Sequence, residues 1–236
     1  MKNLTNILIG LTILAFLCPI SCTRKPSKVE QLRLEKRQKD SLNLVHARQT
    51  LVYSDSLLQI LLPQTDPLLK TFRYEKNDKV EDHGHYVHKL LQTGSNTSRN
   101  FLQAYVSDNR RTTVQSYYFG SRGIGHTAVR LSCDGVFVHK EGSCHSFEAE
   151  GIHEITSIQG DDAIELLQFI ANNKDKRILV SAEGKQSAKY YLNDKEKQAL
   201  TDTYQLAVLM NDIFKLEQAI HVSQLQIQKL QKRLDL

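Results

Sequence analysis

The chain has 236 residues, 40% of them hydrophobic, with 31 Lys and Arg against 26 Asp and Glu, the make-up of a folded protein with a real core. Four prolines, 11 glycines and no tryptophan exclude collagen-like and low-complexity classes. The formal charge of +5 is scattered, with a concentration from Arg24 to Lys39, and it lacks the dense basic face and interleaved aromatics of a nucleic-acid binder.

The N-terminus reads as an export signal. Lys2 supplies a short positive region, and Ile7 to Ile20 an apolar run broken by Gly10 and Thr12. A helix needs about 20 apolar residues to span a bilayer, so this run is short for an anchor and fits a signal peptide. Pro19-Ile20-Ser21-Cys22 follows and resembles the lipobox of bacterial lipoproteins. Ser21 is the small residue such a motif wants, although Pro19 stands where leucine is usual; Cys18, after bulky Leu17, fits badly. The resemblance implies removal of residues 1–21, a diacylglyceryl thioether on Cys22, and a lipidated N-terminus over residues 22–26. Two or more acyl chains hold a protein to a membrane far more firmly than one, at about 0.8 kcal/mol per buried methylene. Thr23 is not an acidic retention mark, which favours the outer membrane, facing the periplasm or the cell surface. The basic stretch after Cys22 is either a solvated helix face or a segment close to anionic headgroups.

Residues 27–62 contain neither Gly nor Pro and are rich in strong helix formers, which predicts a long amphipathic helix. Leu44, Ala47, Leu51, Leu58 and Leu61 share one stripe. The first turns are polar on most faces, a spacer, and Pro63 and Pro67 are expected to stop the helix. Residues 68–192 change character: short runs of Tyr, Phe, Val, Thr and Ile with turn residues at intervals of about ten predict an antiparallel β-rich module. Strands are expected near 71–75, 85–91, 101–107, 113–119, 126–133, 136–139, 146–150, 153–158, 177–181 and 187–192. Asp134-Gly135 signals a type I′ hairpin. A single helix, 161–172, interrupts the strands and carries a broad apolar face of Ala163, Ile164, Leu166, Leu167, Ile170 and Ala171.

From 193 to 236 the chain predicts a second long helix. Asn193 with Glu196 three residues on is a capping box, and Leu209, Ile213, Leu216, Ile220, Ser223, Ile227, Leu230 and Leu234 form a heptad seam. Such a helix would be about 60 Å long, so part of it must leave the body and find a partner. The N-terminal helix is the expected partner; a second copy of the chain, giving a homo-oligomer through the C-terminal helix, is the alternative. The fold class is therefore α+β, a central antiparallel module flanked by helices paired as a coiled-coil-like hairpin.

This plan, the lipobox, and the run Ile178-Leu179-Val180-Ser181-Ala182-Glu183-Gly184-Lys185 followed by Tyr190-Tyr191-Leu192 resemble small exported lipoproteins of Bacteroidetes-type bacteria. The resemblance implies membrane attachment and carries over no activity and no further site residue.

Candidate chemistry is sparse. In His83-Gly84-His85-Tyr86-Val87-His88, His83 and His85 point to one face of a strand and His88 to the other, so the three do not converge on a metal. Cys133 and Cys144 are a candidate disulfide in an oxidising compartment, although the hairpin sets them apart. Cys144 with His145 and Glu148 or Glu150 is a candidate thiol hydrolase site, opposed by the alternation of strand side chains. The segment Gly120-Ser121-Arg122-Gly123-Ile124-Gly125-His126 lacks a phosphate-loop ending and reads as a mobile connection. Arg122, His126, Tyr117 and Tyr118 are the candidate ligand-binding residues. No cofactor, metal or catalytic centre is expected. The expected role is non-catalytic binding or scaffolding by a membrane-tethered protein with a protein partner; a solute-binding lipoprotein is the alternative.

Overall fold

A computed structural model describes residues 27–76, 84–91 and 99–234. The signal segment, Cys18, Cys22 and His83 lie outside the described residues.

Ser27 caps the first helix, its hydroxyl accepting from the Glu30 amide (3.3 Å), and α1 runs over Lys28–Leu69. The expected stop at residue 62 is wrong: Pro63 and Pro67 lie inside the helix. Each proline removes one rung of the ladder and leaves the carbonyl four residues earlier without its donor. Here those carbonyls belong to Gln59 and Pro63, both exposed residues, on the solvent side of the helix. Beside them Gln64 Nε2 donates to the Ile60 carbonyl (3.0 Å) and Thr65 Oγ1 to that of Leu62 (2.6 Å). The last turn is held by Leu68 and Leu69, which pack on the body.

Ten strands follow: β1 (Phe72–Lys76), β2 (Gly84–His88), β3 (Phe101–Ser107), β4 (Thr112–Gly120), β5 (Ala128–Cys133), β6 (Val136–Glu141), β7 (Ser143–Glu148), β8 (Ile152–Gln159), then α2 (Asp161–Asn172), β9 (Leu179–Glu183), β10 (Ser187–Tyr191) and α3 (Asp194–Leu234). They form a six-stranded sheet in the order β1-β2-β3-β4-β8-β7 and a four-stranded sheet in the order β10-β9-β5-β6. Every pairing is antiparallel. Asp134 and Gly135 both take positive φ (49° and 81°) and place Cys133 opposite Val136, as a type I′ turn requires. Five strands differ from their expected limits by two residues or more: β2 ends at His88 instead of 91, β5 begins at Ala128 instead of 126, β6 runs on to Glu141 instead of 139, and two others move at both ends. The strand expected at 146–150 starts at Ser143 and ends at Glu148, because Glu150 and Gly151 take the positive φ values of the turn into β8. The strand expected at 177–181 is β9, displaced two residues toward the Gly184 turn.

The two sheets are joined by one continuous stretch of chain. β6 pairs with β5, and after Gly142 the same stretch, now β7, pairs with β8 in the other sheet. Gly142 allows this corner: a Cβ there would lie 2.5 Å from the Ser157 carbonyl oxygen and 2.9 Å from Ile158 and Thr156 side-chain atoms. Its N–H donates to the Thr127 carbonyl (2.9 Å).

The core forms where α2 meets both sheets. Leu102, Ala104, Val114 and Ile158 from the larger sheet, Val129, Leu131 and Val180 from the smaller, and Ala163, Leu166, Leu167 and Ile170 of α2 are almost wholly buried in one cluster with Ala199 and Leu200 of α3. A second cluster, Phe72 and Val106 with Leu206 and Ala207, seats the base of the helical hairpin beside Leu68, Leu69 and Met210. The expected capping box is present. The Asn193 side chain accepts from the Glu196 amide (2.9 Å), and the Glu196 carboxylate accepts from the Asn193 amide (3.0 Å).

α1 and α3 run antiparallel. At the far end Arg233 lies 3.8 Å from Asp40, and Arg37 donates to the Leu234 carbonyl (3.2 Å). All eight expected seam positions of α3 are at least partly buried, with Ser223 and Leu230 fully so. Facing them, Leu44, Ala47, Leu51, Ser54, Leu58 and Leu61 of α1 are partly or fully buried. Pairing of α3 with a second copy through this seam would require the two helices to part.

We expect Gly142→Ala to cost about 2 kcal/mol through the enforced clash at the corner. Asn193→Ala should cost about 1 kcal/mol through loss of the cap. Both are read as shifts of the urea midpoint at unchanged slope.

Candidate functional site

The residues singled out from sequence separate into two groups. Tyr117 and Tyr118 are neighbours on β4 and face opposite ways. Tyr117 stacks on Phe101 (ring centroids 4.2 Å apart, planes 9° from parallel), and its hydroxyl donates to Gln115 Oε1 (3.1 Å). Burial, and then the neighbouring Tyr105 and Glu75, raise its pKa. Tyr118 lies opposite Glu154 of β8, and its hydroxyl donates to the Arg122 carbonyl (2.8 Å). Tyr118, the Arg122 backbone and His126 thus belong to one place and Tyr117 to another.

That first place is organised by a residue that sequence reasoning missed. Glu154 is 5% exposed, and its carboxylate accepts from the backbone amides of Gly125 (3.1 Å) and His126 (2.8 Å). A Cβ on Gly123 would stand 2.7 Å from Glu154 Oε1. Thr156, next along the same face, donates from Oγ1 to the His126 carbonyl (2.5 Å). A signal existed: Ile152, Glu154, Thr156 and Ile158 alternate onto one face, so two apolar residues bracket the two polar ones.

The glycine-rich segment is consequently pinned, not a mobile connection. Besides Glu154, the amides of Lys185 and Gln186 donate to the Ile124 carbonyl (2.7 and 3.3 Å), and Thr127 donates to Glu183 (2.9 Å). The turn that delivers the first two depends on Gly184, whose missing side chain leaves room for the Gly125 and Ile124 carbonyls at 2.1 and 2.4 Å from a Cβ position.

His126 at the end of this segment is completely buried, and neither ring nitrogen has a hydrogen-bond partner. Burial lowers its pKa to about 4, although the Glu154 charge and the nearby backbone of Glu154 and Ala128 favour a proton. The ring is therefore neutral at physiological pH. It is a poor proton shuttle and an acid-sensitive element of the fold.

Cys144 lies opposite Thr156 on the same side as Glu154. Burial first, and the Glu154 charge second, raise its pKa, against a hydrogen bond from Thr156, so the thiol is protonated at neutral pH. His145, the next residue on β7, faces the other way, its ring 6.3 Å from that of Phe147. The proposed Cys144 and His145 pair is not brought together, and Glu150 sits in a turn beyond the strand. Cys133 and Cys144 stand on different sheets as free thiols, one buried and one exposed.

His85 and His88 take opposite faces of β2, as alternation requires. His85 sits 3.4 Å from Glu75 and packs on Tyr105 (4.6 Å). His88 reaches across to α3, its Nε2 3.1 Å from Asp202, while its Nδ1 accepts from the Leu90 amide (3.1 Å). With Nδ1 an acceptor, Nε2 holds the proton and donates to Asp202. Among the described residues no group of three or more His, Cys, Asp or Glu is placed to hold a metal ion.

The second place is the face of the larger sheet turned away from α2. The register puts Tyr105, Phe101, Tyr117, Phe119, His153, Phe147 and His145 there, with Phe119 on His153 (4.9 Å) and His153 stacked on Phe147 (4.8 Å). Gln103 shares this face, and its buried Oε1 has no hydrogen-bond partner. A separate cleft of about 620 Å³ opens where the proline-bearing end of α1 meets α3, lined by Leu61, Pro67, Leu68, Val208 and Leu209, with Asp202 and Asp212 also on its walls. Comparison with protein-family models, with curated proteins and with solved structures finds no match to this chain.

Acidification should destabilise the fold through His126. Its folded pKa, about 4, lies below the ordinary histidine value of 6.5, so the unfolded chain takes up the proton first. Stability is retained above pH 6.5 and falls by about 3 kcal/mol as the pH drops to 4. Urea unfolding across that range measures the loss, and His126→Phe should flatten its slope. Iodoacetamide at neutral pH should alkylate native Cys144 more slowly than a free cysteine peptide, and Cys133 only after unfolding.

Proposed function

We propose that this chain is a lipid-anchored protein of the bacterial cell envelope, tethered through Cys22 and acting by binding or scaffolding without catalysis. The observation that carries this reading is where the tether meets the fold. Ser27 caps α1 five residues after Cys22, at the end of the hairpin remote from the sheets. From there to Leu61 the helix covers about 50 Å before it reaches the clusters that seat it. An anchor at Cys22 therefore puts a rigid spacer between bilayer and β module. Among the described residues no helix is long and apolar enough to cross a membrane.

The arrangement offers a partner one surface beyond reach of the headgroups, the cleft at the base of the hairpin; the ring-lined sheet face is largely buried, with Phe101 1% and His153 7% exposed. A solute-binding role is the second reading. It is favoured by the unpartnered Gln103 Oε1 on the ring-lined face, since a buried amide oxygen without a donor costs about 1–3 kcal/mol that a ligand donor would offset. A thiol hydrolase has less support, because the Cys144 thiol is held protonated and His145 faces away from it.

Mass spectrometry of the chain isolated from its own membranes should show loss of residues 1–21 and a diacylglyceryl modification on Cys22. An unmodified Cys22 in native material refutes the anchor.

A further inference from the structure

The antiparallel hairpin brings together charges that are far apart in the sequence. The first turns of α1 carry Lys28, Arg33, Lys36, Arg37 and Lys39; the last turns of α3 carry Lys229, Lys232 and Arg233. Pairing of Arg233 with Asp40 and of Arg37 with the Leu234 carbonyl fixes the two sets side by side at one tip. Among the described residues of the tip eight cations face three carboxylates, Glu30, Glu35 and Asp40, with Asp235 following in the sequence, and Asp40 is already engaged by Arg233. The cationic residues of the tip are exposed. Among them stand Val29, Leu32 and Leu34, 61%, 60% and 52% exposed. A solvated helix face needs no such apolar residues at its end. Cations interspersed with aliphatic side chains are the composition of a segment that sits on an anionic interface, the charges among headgroups and the aliphatic groups at the acyl boundary.

We infer that the hairpin tip, built from both helix ends, is a docking surface for an anionic lipid bilayer. Charge complementarity argues for this occupant. Each Lys or Arg held near such a surface is worth about 1 kcal/mol, or about fivefold in partitioning, and the effect fades within a Debye length. The cations nearest the end of the tip meet that range first, the set from Lys28 to Lys39 spanning about 17 Å along α1, whereas the cations of the β module stand tens of ångströms away. The inference deepens the tethering proposal by giving the spacer a foot that sets which end meets the membrane. It does not depend on the acyl chains, because the tip charges belong to the folded helices.

The test uses the full chain carrying Cys22→Ala, so that no acyl group contributes. Binding is compared between vesicles of phosphatidylcholine alone and vesicles that also contain phosphatidylglycerol. The leader's apolar run partitions into both, so the ratio reports the tip. The expected result is a preference for the anionic vesicles of about tenfold or more at low salt, lost as salt is raised. Reversing four exposed tip lysines together (Lys36→Glu, Lys39→Glu, Lys229→Glu and Lys232→Glu) should abolish the preference. Reversing four exposed lysines of the module end (Lys174→Glu, Lys185→Glu, Lys189→Glu and Lys195→Glu) changes the net charge equally and should leave most of it. Circular dichroism melts confirm that both variants are folded. No preference in the parent chain, equal loss in both variants, or binding to duplex DNA as tight as to the anionic vesicles would overturn the inference. An unmodified Cys22 in native material would remove the tether and leave this result standing.

Discussion

A helix of 42 residues that touches the β module only near its last turns has to hide its apolar stripe elsewhere, and α3 is what hides it. The seam between the two repeats at four- and three-residue steps on both sides, and it carries small side chains at Ala47, Ser54 and Ser223, which are 5%, 3% and 3% exposed. Small residues let two helix backbones approach closely, and a polar residue at a seam position fixes register at some cost in stability. Ser223, which interrupts an otherwise aliphatic series, fits that second role. Removing α3 would leave α1 without cover and the second core cluster without Leu206, Ala207 and Met210. The hairpin and the module are thus parts of one cooperative fold.

Within the module the constraint is backbone approach. Gly142 lets one stretch of chain serve two sheets, and Gly184 lets the β9–β10 turn close over the Ile124 and Gly125 carbonyls. Glu154 then accepts from the Gly125 and His126 amides of the intervening segment with a carboxylate, a charge-assisted arrangement stronger than neutral hydrogen bonds. His126 is the cost of that closure: its ring is enclosed without a partner and stays neutral.

Much of this was legible in the sequence because it rests on periodicity and on local capping. The 4-3 spacing of α3, the Asn193 and Glu196 box, the Asp134-Gly135 turn and the apolar face of α2 over 161–172 each depend on residues close in the chain. The continuation of α1 through Pro63 and Pro67 was not legible, because it depends on Leu68 and Leu69 finding the body and on the freed carbonyls lying on the solvent side of the helix. The Glu154 clasp was hidden for the same reason. A glycine-rich segment reads as loose until a carboxylate from a strand 28 residues later is known to lie beneath it. Of the candidate site residues, alternation alone separated Tyr117 from Tyr118 and Cys144 from His145. Only the tertiary fold joined Tyr118, the Arg122 carbonyl and His126 into one neighbourhood. The signal segment and Cys22 rest on sequence resemblance.

The two prolines of α1 have a mechanical consequence. If the N-terminal end is held and the module is pulled, tension runs straight down the hydrogen-bond ladder of α1, with α3 splinting it along the seam. Two rungs of that ladder are missing near the body, at the carbonyls of Gln59 and Pro63. Stretching of α1 should therefore localise there, making this turn the compliant element of an otherwise stiff strut, with the unbroken α3 carrying the load past it.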